Sequence, residues 1–295
     1  MVFRSSALVL ATWLLSAATY LGCSDRVEVG YDSPRATGGS AGSGGAAPTE
    51  GGTAGGGAAQ CVTAACQGKV YRCGDCMDND TDGKIDALDP DCLGPCDDTE
   101  DSYFPGIPGQ SGGGCRQDCQ FDRDSGAGND GCDWTFTCDP MSVAPNYPPS
   151  GDASCRYDEQ TSIQGKTCSD LANGQAASCL DYCLPLTPNG CDCFGCCELP
   201  ARSGNTVWIG STAGGLGTCS QATLSDPNAC RPCTQVRSCL NTCATCEVCA
   251  GETAIPAACN GAQPSCPSGQ PSCGPNASCP AGKFCITGCC VDIPR

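Results

Sequence analysis

Thirty-three of the 295 residues are cysteine. That density limits the fold more than any other property of the chain. A cysteine share above roughly 8–10% marks a scaffold whose covalent crosslinks stand in for an apolar interior. Aromatic residues make up only 5%, while Gly and Pro number 40 and 22, so turns are plentiful and large buried side chains are scarce. The expected fold is small, disulfide-rich and loop-dominated. It has short β-strands and one or two short helices, behind a disordered N-terminal tether. If Cys23 is consumed by another modification, 32 cysteines remain. That even number is compatible with sixteen bridges and no free thiol.

The chain contains no histidine. A Ser–His–Asp or Cys–His catalytic pair, histidine-ligated zinc and histidine-ligated haem are therefore excluded. Formal net charge is −17, and residues 61–160 hold 20 acidic against 6 basic side chains, so −14 of it sits there. No basic stripe is available to neutralise phosphates, which argues against nucleic acid as a partner. Asp124-Ser125-Gly126 is similar to the D-[ST]-G of aspartic proteases. One copy cannot supply the two apposed carboxylates that chemistry needs, and no enzyme activity is expected.

Residues 1–22 read as an export signal. Arg4 supplies the charged start, and Ala7 to Leu21 form a fifteen-residue apolar run. That length suits a signal and falls short of the ~20 residues of a membrane span. The run ends in Tyr20-Leu21-Gly22-Cys23. This resembles a bacterial lipobox, with Tyr20 where the pattern usually has Leu, and the resemblance implies lipidation of Cys23. An ordinary signal with Cys23 in a disulfide is the alternative. Residues 23–60 follow as the lipidated cysteine and a tether. Ten of the 24 residues from Ala36 to Ala59 are Gly, too little apolar surface to offset ordering entropy.

Residues 61–101 form an acidic repeat. Within it, Asp78, Asp80, Asp82, Lys84, Asp86 and Asp89 fall at positions 1, 3, 5, 7, 9 and 12 of a calcium loop, with Gly83 at 6 and Ile85 at 8. Calcium takes six to eight oxygen ligands, and alternate inward side chains supply them. Lys84 would offer its carbonyl, Gly83 the sharp turn, and Ile85 an apolar pin. The twelfth position of an EF-hand is usually a bidentate Glu. Cys73, Gly74, Cys76, Pro90, Gly94 and Pro95 flank the loop where an EF-hand would have helices. The stretch resembles a thrombospondin type 3 repeat and the metal-binding repeat of MopE-like bacterial surface proteins, whose acidic runs are tied by disulfides. The resemblance covers about 25 of the 295 residues and implies calcium held weakly, with a dissociation constant on the order of 0.1–1 mM. A solvated acidic loop without an ion is the plainer alternative. Asp97, Asp98, Glu100 and Asp101 beyond it read as solvated.

Residues 102–258 read as a cysteine-rich loop and β region. Trp134 and Phe136 alternate as in a short buried strand, and Asn205 to Ile209 form the best strand. Thr167 to Leu180 reads as one short helix. From Thr234 to Gly251, Val236, Cys239, Cys243 and Cys246 recur at three and four, which predicts a cysteine-striped helix. Cys230-x-x-Cys233 and Cys243-x-x-Cys246-x-x-Cys249 read first as disulfides, with zinc, iron–sulfur or thiol redox as alternatives. Asp122, Asp124, Asn129 and Asp130 make a second oxygen-rich cluster, read as an acidic glycine turn rather than a second calcium site.

Residues 259–295 read as a cysteine knot-like module, and Cys279 to Cys285 is similar to the C-P-x-G-x-x-C turns of EGF-like domains. Seven cysteines lie there, so at least one must pair outside. As a whole the chain resembles the cysteine-rich lipoproteins of myxobacteria. That resemblance implies a cell-envelope protein, anchored to the outer membrane by lipid, with a structural or surface-binding role toward a cell-surface protein or polysaccharide. An adhesion module using Trp134, Trp208 and the C-terminal segment as contact surface is the alternative.

Overall fold

The computed structural model describes residues 61–106, 111–112, 115–122, 130–141, 155–259, 261–267, 269–275 and 277–294. Residues 1–60, read above as an export signal, Cys23 and a tether, lie outside the described residues, as do Asp124 and Asn129. All described residues fall in one unit, Ala54–Arg295.

Short antiparallel pairs, held apart by turns, make up the regular structure. Ala65–Cys66 pairs with Lys69–Val70, and Ser162–Ile163 with Lys166–Thr167. Arg116–Gln117 lies between Ser111–Gly112 and Trp134–Thr135. Thr206–Trp208 lies between Cys196–Glu198 and Arg231–Pro232. The longest hairpin joins Lys283–Ile286 to Cys289–Asp292 around a turn at Thr287 and Gly288. Two-residue strands cannot bury a face of their own, and they are held by what sits between them.

That filling is largely sulfur. The main core gathers Tyr103, Phe121, Trp134, Leu171, Phe194, Leu199 and Ile209, and about half of its buried members are cysteine. A second cluster sets Phe136 edge-on to Trp208 at 4.9 Å among Cys115, Cys155, Cys196 and Cys233. Trp134 and Trp208 are 5% and 8% exposed, so neither offers the contact surface expected of an adhesion module. The indole N–H of Trp208 is satisfied inside, donating to the Phe194 carbonyl at 3.2 Å.

Sixteen disulfides pair every cysteine from Cys61 to Cys290, and the pairs form five closed sets. Cys61–Cys76, Cys66–Cys96 and Cys73–Cys92 lie within 61–96. Cys115–Cys155, Cys119–Cys183, Cys132–Cys179 and Cys138–Cys168 lie within 115–183. Cys191–Cys197, Cys193–Cys239, Cys196–Cys233 and Cys219–Cys230 lie within 191–239. Cys243–Cys249 and Cys246–Cys259 close 243–259, and three more close 266–290. The neighbours Cys196 and Cys197 take different partners, and Cys259 is the odd cysteine of the C-terminal segment, pairing outside it.

Two helix expectations are corrected. Where one helix is expected over 167–180, the chain holds two short ones, Cys168–Asn173 and Ala177–Tyr182. Thr167 and Asp170 form a capping box at the first. Gly174 ends it, and the Gln175 side chain covers the break by donating to the carbonyls of Leu171 and Asp133 while accepting the Asp133 N–H. The cysteine-striped helix over 234–251 does not form; that stretch has one 3-10 turn, Arg237–Cys239, among bends. Asp192 explains the start of the failure. Its fully buried carboxylate accepts the N–H groups of Phe194, Cys196 and Val236, at 3.0, 2.9 and 2.6 Å. Val236 is thereby pinned to a remote turn, and Cys239, Cys243 and Cys246 are drawn to three separate partners. The cysteines at 230, 233, 239, 243, 246 and 249 are all bridged, so none remains as a thiolate for zinc or an iron–sulfur cluster.

Candidate cation site

The acidic repeat is a loop closed by its own side chains. Asp78 accepts the N–H groups of Thr81 and Gly83 at 2.6 and 3.0 Å, Asp80 that of Asp82 at 3.0 Å, and Asp82 that of Lys84 at 2.8 Å. Each short carboxylate bends the backbone back on itself two to five residues on. Gly83 sits at φ +92, where a Cβ would meet nothing within 4 Å. The demand for glycine there is conformational, as a sharp loop requires.

Beyond this exposed rim the carboxylates go inside. Asp86 and Asp89 are 5% and 2% exposed. Asp86 turns from the rim toward the Cys61–Cys76 bridge and accepts the Cys76 N–H at 3.1 Å. Asp89 accepts the Asp91 N–H at 2.8 Å through Oδ1, and its buried Oδ2 has no hydrogen-bond partner. Burial pushes the carboxyls of Asp86, Asp89 and Asp91 up to about 6. The charges of Asp82 and Asp91 add to the rise at Asp89, and those of Asp80 and Asp82 to the rise at Asp91. Asp80, Asp82, Asp89 and Asp91 are thus electrostatic neighbours. Among the described residues the cation facing them is Lys84, whose Nζ lies 2.6 Å from Asp82 and favours the charged form of Asp89 and Asp91.

Two carboxylates around the loop escape its spacing pattern, Asp91 and Glu100. Asp91 lies two residues past Asp89 across Pro90, and Asp89 has an extended backbone at φ −87, ψ 126. Alternate residues of an extended chain share a face, so the Asp-Pro-Asp spacing was the signal available for Asp91. Glu100 had no such signal and read as solvated. It is 1% exposed, and its two oxygens accept the N–H groups of Asn79 and Asp86 at 2.6 and 2.9 Å. It holds the two ends of the loop from inside. Asp97 is buried as well, accepting the Thr99 N–H at 3.1 Å, while Asp98 and Asp101 keep solvent contact. Burial raises the carboxyl of Glu100 and holds that of Asp97 well above the usual range.

In the second acidic stretch, Asp122 and Asp130 are also buried, and the residues between them lie outside the described part. Cysteine and carboxylate atoms also meet at Cys61, Cys76 and Asp86, and at Cys73, Cys92 and Glu100. Those sulfurs are bridged and offer no thiolate. A hard cation fits the repeat better, because the donors are all oxygen and one buried carboxylate oxygen is unsatisfied. Among the described residues no helix is long and apolar enough to cross a membrane. No known protein family, curated protein or solved structure matches the chain.

Proposed function

We propose that the chain is an exported, lipid-anchored envelope protein whose acidic repeat binds calcium, with a structural or surface-binding role. One observation carries the calcium reading. Asp89 is 98% buried with an unpartnered oxygen, beside the charges of Asp82 and Asp91. An isolated buried carboxylate is costly unless paired, and Lys84 alone cannot pair four. Asp80, Asp82, Asp89 and Asp91 would hold the ion, with Asp78 and Glu100 shaping the loop around it. A bound ion would supply the positive charge these carboxylates lack, and Asp82 would face the ion in place of Lys84.

Titration calorimetry on the chain from Cys61 onward, with calcium raised to the low-millimolar range, should give a binding heat that Asp89→Asn with Asp82→Asn abolishes. No heat, or the same heat in that variant, removes the calcium reading. The anchor rests on the apolar run ending in Cys23 and on sixteen bridges that use every other cysteine. Radiolabelled palmitate should label the full chain and not Cys23→Ser; equal labelling removes the anchor.

The interaction-module reading keeps one supporting feature. A largely apolar cleft of about 100 Å³ lies between the Ile85–Leu88 turn and the C-terminal hairpin at Phe284. A pull-down from outer-membrane extract, repeated with chelator, should retain a specific partner if the cleft is the working surface, and none if the role is structural.

A further inference from the structure

The sixteen disulfides cross no boundary between 61–96, 115–183, 191–239, 243–259 and 266–290. Each set is crosslinked within itself, and only main chain and non-covalent contact join one set to the next. Cutting the linker 97–114 would therefore free the acidic repeat with every bridge intact. What keeps the sets together has to be sought at their seams.

Two carboxylates of the cation group stand at those seams. Asp91 Oδ1 accepts the Gln221 N–H at 2.8 Å, reaching the 191–239 set. The Gln221 side chain returns the contact, accepting the Tyr103 hydroxyl proton at 2.6 Å. Asp89 borders a cavity of about 20 Å³, walled also by Leu93, Pro188, Gly251, Glu252 and Thr287. The repeat, the 243–259 set and the turn of the C-terminal hairpin all meet there. The cavity is large enough for one water-sized occupant, and the buried, unpartnered Oδ2 belongs to the residue that borders it.

We propose that the cation bound by the acidic repeat is the fastener between disulfide-closed segments: ion binding and docking use the same side chains, Asp89 and Asp91. This rests on the calcium reading above. Linkage makes the effect reciprocal, so the docked arrangement binds the ion more tightly, and the ion strengthens docking by the same factor. Without the ion, the buried, unpartnered oxygen of Asp89 stays uncompensated at the seam, and the repeat separates from the rest more readily. The 115–183 and 191–239 sets, joined through Gln120 N–H to the Cys193 carbonyl and Thr234 N–H to the Asp139 carboxylate, stay docked in either condition.

The test uses the full chain with a protease recognition sequence inserted at Gly109. After cleavage, non-reducing denaturing gels should show two pieces; one undivided band would mean a bridge crosses the linker and overturns the premise. Under native conditions, gel filtration in calcium should keep the pieces together, and chelator should weaken their association at least tenfold. Asp91→Asn retains an acceptor for Gln221 and should abolish that dependence. Calorimetry on the uncut chain separates the two ways of failing. No calcium heat defeats the underlying reading. Calcium heat with co-elution unchanged by chelator defeats the fastener and leaves the site standing.

Discussion

The acidic repeat and the cysteine-rich body solve the same shortage of apolar material in opposite ways. In the body, residues 115–239, bridges are packed among Phe, Trp and Leu with buried carboxylates between them; Asp192 spends its oxygens on three backbone donors, whereas Asp130 Oδ2 has no hydrogen-bond partner. In the repeat, three bridges enclose an interior of carboxylates: Asp86, Asp89, Asp97 and Glu100. Its apolar filling is Tyr71 with Cys66 and Cys96, Ala64 beneath the C-terminal hairpin, and Leu93, which joins the main core. Crosslinks lower the entropy of the unfolded chain wherever they lie, but they do not choose what fills the space between them. Aromatic filling gives the body a packed interior around its carboxylates, whereas the repeat, with little such filling, leans more on a counter-charge.

Substitutions at four positions sharpen that contrast. Trp208→Ala should have the largest effect, costing about 3–5 kcal/mol by chemical denaturation, since it empties the Phe136 cluster and removes the bond to Phe194. A cost near zero would mean the body does not rest on its aromatic filling.

Asp192→Ala follows, at roughly 2–4 kcal/mol, because it strands three buried N–H groups. Asp192 also gives the body a pH signature. Burial raises its carboxyl from 3.8 to about 7, so between those values the folded chain holds a proton that the unfolded chain has lost. Its contribution is therefore most favourable below the unfolded value, declines as pH rises from 3.8 toward 7, and levels off above. Asp192→Asn should remove that part of the slope in denaturation measured from pH 4 to 8; an unchanged slope would assign it elsewhere.

Asp89→Asn should change sign with conditions. In chelator it removes an unpartnered buried charge and should stabilise the chain by about 1 kcal/mol or more. In calcium it should forfeit the gain that the parent chain shows, so the two melting curves cross over. Destabilisation of equal size in both conditions would leave Asp89 with a packing role only. Lys283→Ala marks the low end, within about 0.5 kcal/mol, because its partner Asp292 is 86% exposed.

Several features were legible in the chain. Cysteine parity anticipated complete pairing from Cys61 to Cys290, and the odd C-terminal count anticipated a bridge leaving that segment, which is Cys246–Cys259. The strand at 205–209 appears as Thr206–Trp208, and Trp134 and Phe136 are buried as their alternation implied. Other features misled. Three-and-four spacing of cysteines imitates a helix face, but at 234–251 it records only how many partners the segment must reach. Solvation of the run after Cys96 was inferred from charge alone, and half of it is buried.

By itself the sequence determined the quantity and kind of the stabilising chemistry: the number of crosslinks, the acidic loop with its glycine turn, and the scarcity of apolar filling. These are properties of composition and of contacts within a few residues. Only the tertiary structure decided which cysteines meet, that their pairs close into five separate sets, and that Glu100 and Asp91 join the loop. A bridge forms only where two Cα atoms come within about 7 Å, and Asp86, Glu100 and Asp192 are buried where backbone N–H groups from distant positions converge on them. Both conditions depend on how distant segments pack, which no local spacing records.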